Sequence, residues 1–150
     1  MMDNRKLLEE LSFNFYKSQR QVSHFYSYNI LKDYDITYPQ FLVLKLLWDN
    51  ESVTVNEIVY ALELNTGAVS PLLKRMEKLE LIKKERSELD ERKVIICLTD
   101  RGLTLKDDIY NAFIKIENAL GLNIKEIEEL NLLLNKVTES FKAEKMKLKE

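Results

Sequence analysis

From Asn4 to Leu31 the chain contains neither glycine nor proline, and its apolar residues fall at helical spacing: Leu8, Leu11, Phe15, Val22, Phe25 or Tyr26, and Ile30. One small domain cannot cover a helix of that length along its whole extent, so the stripe is expected to reach a partner. The rest of the chain is equally poor in breakers. Three glycines and two prolines in 150 residues predict few loops and long helices. One compact domain fits this length. A hydrophobic share of 45% with 32% charged residues is that of a soluble globular protein. The net charge of −2 excludes a non-specific polycation but leaves room for a local basic face. Cys97, the single cysteine, cannot close an intrachain disulfide, and a reducing compartment is the default. The N-terminal residues carry no long apolar core and no small-residue cleavage site. No apolar run approaches a membrane span. The expectation is a soluble cytoplasmic protein without a membrane partner.

Beyond the first helix, Thr37 and Gln40 have capping-box spacing with Pro39 in the first turn. They predict an apolar, central helix over about Tyr38 to Asp49. Thr54 and Glu57 repeat the box ahead of a short helix ending near Leu62. Glu63 to Asn65 then form a connection as short as that of a helix-turn-helix. The next helix starts at Asn65 or Thr66 and includes Pro71, whose missing N–H predicts local irregularity. "LIKKERSELDERKVIICLT" reads as two strands joined by a charged tip, Ser87 to Glu91. Val94, Ile96 and Leu98 share one face of the return strand, and Ile95 and Cys97 the other. Thr99 caps a helix carrying Leu105, Ile109, Phe113, Ile116 and Leu120 on one side as far as Gly121. Asn123 with Glu126 restarts a last helix, whose Ile127, Leu130, Leu134, Val137 and Phe141 repeat as in a coiled-coil seam. The fold class is therefore mainly α with a small β wing, without repeats or linkers.

Three helices followed by a two-stranded wing make a winged helix-turn-helix. The second helix of the pair fits the major groove of B-DNA. Its first turns present Thr66, Gly67, Ala68 and Ser70, small enough to let backbone approach backbone, and its N-terminus suits a phosphate. Lys74, Arg75 and Lys78 follow, and the wing sets Arg92 and Lys93 beside the groove, where a narrow minor groove attracts arginine. Taken alone, the helix cations are read equally well as a solvated face and the tip as a solvated turn. Their conjunction, in this order, carries the DNA reading.

"LNTGAVSPLLKRMEKLELIKKERSELDERKVIICLTDRG" resembles the core of the multiple-antibiotic-resistance regulator (MarR) family. The most specific part is Asp90-x-Arg92, followed by the strand and Leu98-Thr99-x-x-Gly102. "ITYPQFLVLKLLW" and "LSFNFY" are similar to the branch of organic-hydroperoxide and global virulence regulators. The resemblance extends over essentially the whole chain. It implies a single domain over 1–150, with a DNA-binding part at about 36–99 and dimerisation helices at about 4–31 and 100–147. The first and last helices would interlock in a homodimer on a pseudo-palindromic double-stranded operator, its recognition helices about 34–36 Å apart. Carried over position by position, DNA contacts fall on Thr66, Gly67, Ala68, Ser70, Lys74 and Arg75 in the helix. In the wing they fall on Ser87, Asp90 and Arg92, with Asp90 fixing the wing arginines and Arg92 entering the minor groove. Asn65 stands where relatives carry an acidic residue, and Ala68 where threonine is common, which leaves operator preference open.

Ser12 is the departure that matters. In the peroxide-sensing branch this position is a cysteine, whose thiolate is held by tyrosines, one of them from the neighbouring subunit, and is oxidised to a sulfenic acid. Tyr26 and Tyr38 match those tyrosines, and Tyr16 lies one turn from Ser12. A hydroxyl can bond the phenols but cannot be oxidised in this way. Natural loss of sensing and an engineered Cys→Ser change both fit, as does ordinary interfacial packing of the tyrosines. Cys97 reads as a small packing residue and His24 as a helix-surface residue. The leading expectation is a dimeric regulator, repressor or activator, controlled by oxidation in a parental form or by a small aromatic ligand between dimer helices and wings. A winged helix that docks another protein is the competing class. An enzyme is rejected: the sequence shows no metal cluster, no glycine-rich phosphate loop and no nucleophile beside a base, and no cofactor is expected.

Overall fold

The computed structural model describes residues 3–149. Its contacts divide the chain into two compact units, one running through Ala112 and one from Phe113 onward.

In the first unit, α1 (Asn4–Asn29) begins at Asp3, whose side chain accepts from the Arg5 N–H. Its C-terminal end meets a 3-10 turn (Leu31–Tyr34) and α2 (Tyr38–Asn50). Towards its N-terminus Leu7, Leu8, Leu11, Phe13 and Tyr16 stay 45% to 68% exposed. The expected capping box opens α2: Thr37 Oγ1 accepts from the Gln40 N–H, and Gln40 Oε1 accepts from the Thr37 N–H. Phe41, Val43, Leu44, Leu47 and Trp48 make α2 the centre of the core.

Three residues, β1 (Ser52–Thr54), then run into α3 (Val55–Leu62), Thr54 and Glu57 forming the second box. Asn65 caps α4 (Thr66–Lys78). The helix is continuous through Pro71, contrary to the irregularity expected there. The carbonyl that Pro71 cannot serve is that of Gly67, in the exposed first turn, where water can reach it. The helix closes in a Schellman motif: Leu81 N–H donates to the Met76 carbonyl and Glu80 N–H to that of Glu77. Glu80 takes the left-handed conformation (φ 58°) usually given to glycine, and buried Leu81 and Met76 lock the turn.

The hairpin of β2 (Ile82–Arg86) and β3 (Val94–Leu98) forms as expected, with Ile82 opposite Leu98 and Arg86 opposite Val94. The sheet also contains β1, which the sequence reading missed; the antiparallel order is β1-β3-β2, with Val53 opposite Ile96. Thr99 caps α5 (Asp100–Asn111). The single helix expected from there to Gly121 is interrupted at Ala112 and Phe113, where Ala112 N–H reaches back to Ile109 as well as Asp108. The final turn has tightened towards 3-10 geometry without a glycine or proline to announce it.

The second unit contains α6 (Ile114–Leu120), Gly121 in the left-handed region (φ 68°), and α7 (Ile124–Lys147) behind a capping box of Asn123 and Glu126. The α7 seam residues Leu130, Leu134 and Phe141 are 42%, 40% and 71% exposed.

Candidate nucleic-acid interface

Helix α4 divides by chemistry. Val69, Leu73 and Met76, spaced four and three apart, are buried and fix its rotation on the core. Thr66, Gly67, Ala68, Ser70, Lys74, Arg75 and Lys78 are therefore exposed. Asn65 Oδ1 accepts from the Ala68 N–H at 2.8 Å, holding the first turn in place. Gly67 has an open surround: a Cβ there would meet only Asn65 Oδ1, at 3.4 Å. The helix is tied to the wing by Lys84 and Glu77, 2.9 Å apart. Arg75 Nη2 reaches Asp35 Oδ1 at 3.3 Å. Among the described residues Lys74, Lys78 and Arg92 carry no ion pair.

Beyond β2 the wing tip is built by its own hydrogen bonds. Ser87 N–H donates to the Lys93 carbonyl (3.0 Å), and Lys93 N–H to the Asp90 carbonyl (2.9 Å). Asp90 Oδ1 accepts from the Arg92 N–H (3.0 Å), and Ser87 Oγ from the Leu89 N–H (3.3 Å). The two short polar side chains thus set the backbone of the tip and leave the Arg92 and Lys93 side chains exposed. The tip is not a basic patch in sum: Arg86, Arg92 and Lys93 are matched by Glu88, Asp90 and Glu91. Its geometry, not its net charge, presents the cations. The Lys93 charge also reaches Glu57, whose carboxyl is held below the usual range chiefly by hydrogen bonds from Thr54.

The residues expected around Ser12 separate into two places. Ser12 Oγ donates to the Leu8 carbonyl of its own helix at 3.0 Å, and Tyr16 is 65% exposed. Tyr26 and Tyr38 pack together with centroids 5.0 Å apart, and Tyr26 lies 5.2 Å from Phe41. Burial pushes the Tyr26 phenol up to about 12 and raises that of Tyr38. Fourteen residues of helix put Ser12 about 21 Å along the axis from Tyr26. Cys97 Sγ lies 3.8 Å from Glu85 Oε2; burial and that carboxylate push its thiol up, away from the reactive thiolate. His24 is exposed and touches Tyr28 edge to face. No group of metal-ligating side chains occurs among the described residues, and no helix there is long and apolar enough to cross a membrane.

A rigidly capped second helix beside a hydrogen-bonded wing defines a winged helix-turn-helix module. Residues 25–109 match the family described as transcriptional regulator SarA/Rot. The HTH-type transcriptional regulator MgrA of Staphylococcus aureus is 50% identical over 147 residues, covering 98% of this chain and 100% of that protein. The organic hydroperoxide resistance transcriptional regulator of Bacillus subtilis is 40% identical over 129 residues, 84% of this chain and 87% of that one. The structure of reduced AbfR bound to DNA superposes with a TM-score of 0.79 at 31% identity, over 93% of this chain and 94% of that chain. AbfR is a Staphylococcus epidermidis protein. This chain belongs to the MarR/SarA family of transcriptional regulators, in the branch that includes MgrA and the organic-hydroperoxide regulators, and is not an enzyme.

Proposed function

We propose that the protein is a homodimeric, sequence-specific regulator that lays the two α4 helices of the dimer into successive major grooves of a pseudo-palindromic operator. The observation that carries this reading is the exposed strip from Thr66 to Arg75 on a helix whose rotation the core fixes, standing beside a wing that holds Arg92 and Lys93 outward. That a relative at 31% identity was solved on DNA supports it. In this reading residues 36–99 bind DNA, and the helices at 4–31 and 100–147 dimerise. Thr66, Gly67, Ala68 and Ser70 face the bases, Lys74 and Arg75 the phosphates. Ser87 and Asp90 shape the wing, and Arg92 enters the minor groove with Lys93 beside it. Binding of a duplex selected from a random pool should weaken steeply across a salt series. Arg92→Ala should cost about 1–3 kcal/mol of affinity and flatten the salt slope. Binding indifferent to salt and to Arg92→Ala would favour a winged helix that docks protein instead.

Ser12 stands, in this reading, where the branch carries its sensing thiol. The separation along α1 means the phenols of Tyr26 and Tyr38 can enclose Ser12 only across a dimer interface, from the partner subunit. Hydroperoxide should therefore leave DNA affinity unchanged. Ser12→Cys should install release of DNA by peroxide, with a sulfenic acid trapped by dimedone. Peroxide release from the protein with Ser12 in place would redirect attention to Cys97. Control by a small aromatic ligand is the second reading. A cleft of about 480 Å³ lies between the 3-10 turn and α5, where Asp33, Asp35 and Asp108 face Arg101 and Tyr34. With Asp35 engaged by Arg75, the two carboxylates of Asp33 and Asp108 stand against Arg101, which disfavours an aromatic acid and suits a neutral or cationic ring.

A further inference from the structure

Asp35 ends the 3-10 turn in the left-handed region (φ 55°), between Leu31 and Ile36, which are 0% and 6% exposed. Its backbone is thus anchored while its carboxylate is presented to solvent, 40 residues away in sequence from the arginine it meets on α4. Lys74 and Lys78 have no such carboxylate among the described residues, so the anchored anion singles out Arg75. A carboxylate offers a guanidinium the same anionic oxygens as a DNA phosphate.

We propose that Asp35 is an affinity-setting residue, occupying Arg75 in the free protein as a stand-in for a backbone phosphate and giving it up when α4 docks. The proposal rests on the DNA-binding reading above. Phosphate contacts carry no sequence information, so the brake acts alike on operator and other DNA and lowers affinity without altering preference. When Arg75 moves to the duplex, the freed Asp35 carboxylate gathers a cation, which offsets one of the counterions the DNA releases. Removing the carboxylate should therefore steepen the slope of log K against log salt by up to about one. An exposed ion pair of this kind corresponds to about a two- to fivefold change in affinity.

The test is a double-mutant cycle on a labelled mixed-sequence duplex, which requires no knowledge of the operator. Asp35→Asn removes the charge, and asparagine tolerates the left-handed backbone. Asp33→Asn reports the general field effect of losing one nearby carboxylate, and thermal unfolding checks that each variant is folded. Asp35→Asn is expected to tighten binding about two- to fivefold with a steeper salt slope, and by more than Asp33→Asn does. In an Arg75→Gln background, Asp35→Asn should do no more than Asp33→Asn. Equal gains with and without Arg75 would overturn the proposal, as would weaker binding by Asp35→Asn, which would make Asp35 a support for Arg75 instead. A wild-type protein that binds no duplex would sink the underlying DNA reading; normal wild-type binding with Arg92→Ala impaired and no Asp35–Arg75 coupling would sink this inference alone.

Discussion

Gly102→Ala is expected to destabilise the winged-helix unit by about 3 kcal/mol or more, lowering the melting temperature by roughly 10 °C. Gly102 lies in the first turn of α5, where its N–H donates to Thr99 Oγ1 at 3.1 Å and its carbonyl accepts from Trp48 Nε1 at 2.9 Å. A Cβ there would come 2.1 Å from the Leu81 carbonyl oxygen and 3.1 Å from Leu98 Cδ2. The first of these is backbone held at both ends: Leu81 closes the Schellman turn of α4, and its carbonyl accepts from the Thr99 N–H. No rotamer change relieves the clash. The start of α5 has to move off Leu81, which strains the Thr99 cap and the Trp48 bond together, on top of the overpacking itself. The same node joins the end of α4 to both strands of the wing, so in the proposed DNA-binding mode affinity should fall with stability. Gly67→Ala is the control. The space around Gly67 is open, and alanine favours helix, so that variant should be neutral or slightly stabilised. Thermal unfolding with Trp48 fluorescence as the local probe decides; a Gly102→Ala melting point within about 2 °C of wild type would show that the contact relaxes cheaply.

That node also shows where sequence reading succeeds and where it stops. Capping boxes at Thr37, Thr54 and Asn123 were legible because both partners of each box sit within one turn, and all three form. The hairpin was legible from its alternation. Gly102 could be recognised as a motif position, but its reason, an oxygen of Leu81, is a tertiary fact. Strand β1 was missed because three residues hold no period and the partner is more than forty residues away. The scarcity of glycine suggested few turns, yet Asp35, Glu51, Glu63 and Glu80 all take positive φ and end helical elements that carry no glycine signal. Each such residue costs about 1 kcal/mol or more of local strain; at Asp35 and Glu80 the buried residue that follows, Ile36 or Leu81, anchors the path. At the interface, the strip on α4 and the cations of the wing were readable one by one. The Asp90 bond to the Arg92 backbone followed from the family pattern, whereas the Asp35–Arg75 pair, linking separate elements, left no mark in the sequence.

Leu11→Glu should raise the dissociation constant of the proposed homodimer by roughly a hundred- to ten-thousandfold. Leu8, Leu11, Phe15 and Val22 form one line on α1 and are 61%, 45%, 37% and 40% exposed within the single chain. The Asn4–Asn29 helix contains no buried residue at all, so its own unit does not supply the cover that so apolar a stripe requires. A two-fold interface uses the same patch on both subunits, which makes one substitution act twice. Because Leu11 is 45% exposed in the single chain, a partner can cover only about half of a full leucine burial of about 1.5–3 kcal/mol. The pair of losses is then about 1.5–3 kcal/mol, and the cost of burying two carboxylates raises the total to about 3–6 kcal/mol. In the proposed mode of binding two half-sites are engaged at once, so operator affinity should collapse with the dimer, while weak salt-dependent binding by single winged helices persists. Lys17→Glu, on the roughly opposite face of α1, makes a comparable or larger change of charge without touching the stripe and should leave the dimer intact. Sedimentation velocity across micromolar concentrations separates the two variants. A wild-type protein that sediments as a monomer there would remove the two-helix mode of reading DNA, whereas a Leu11→Glu protein that dimerises as tightly as Lys17→Glu would remove the α1 stripe from the interface and leave the dimer to other helices.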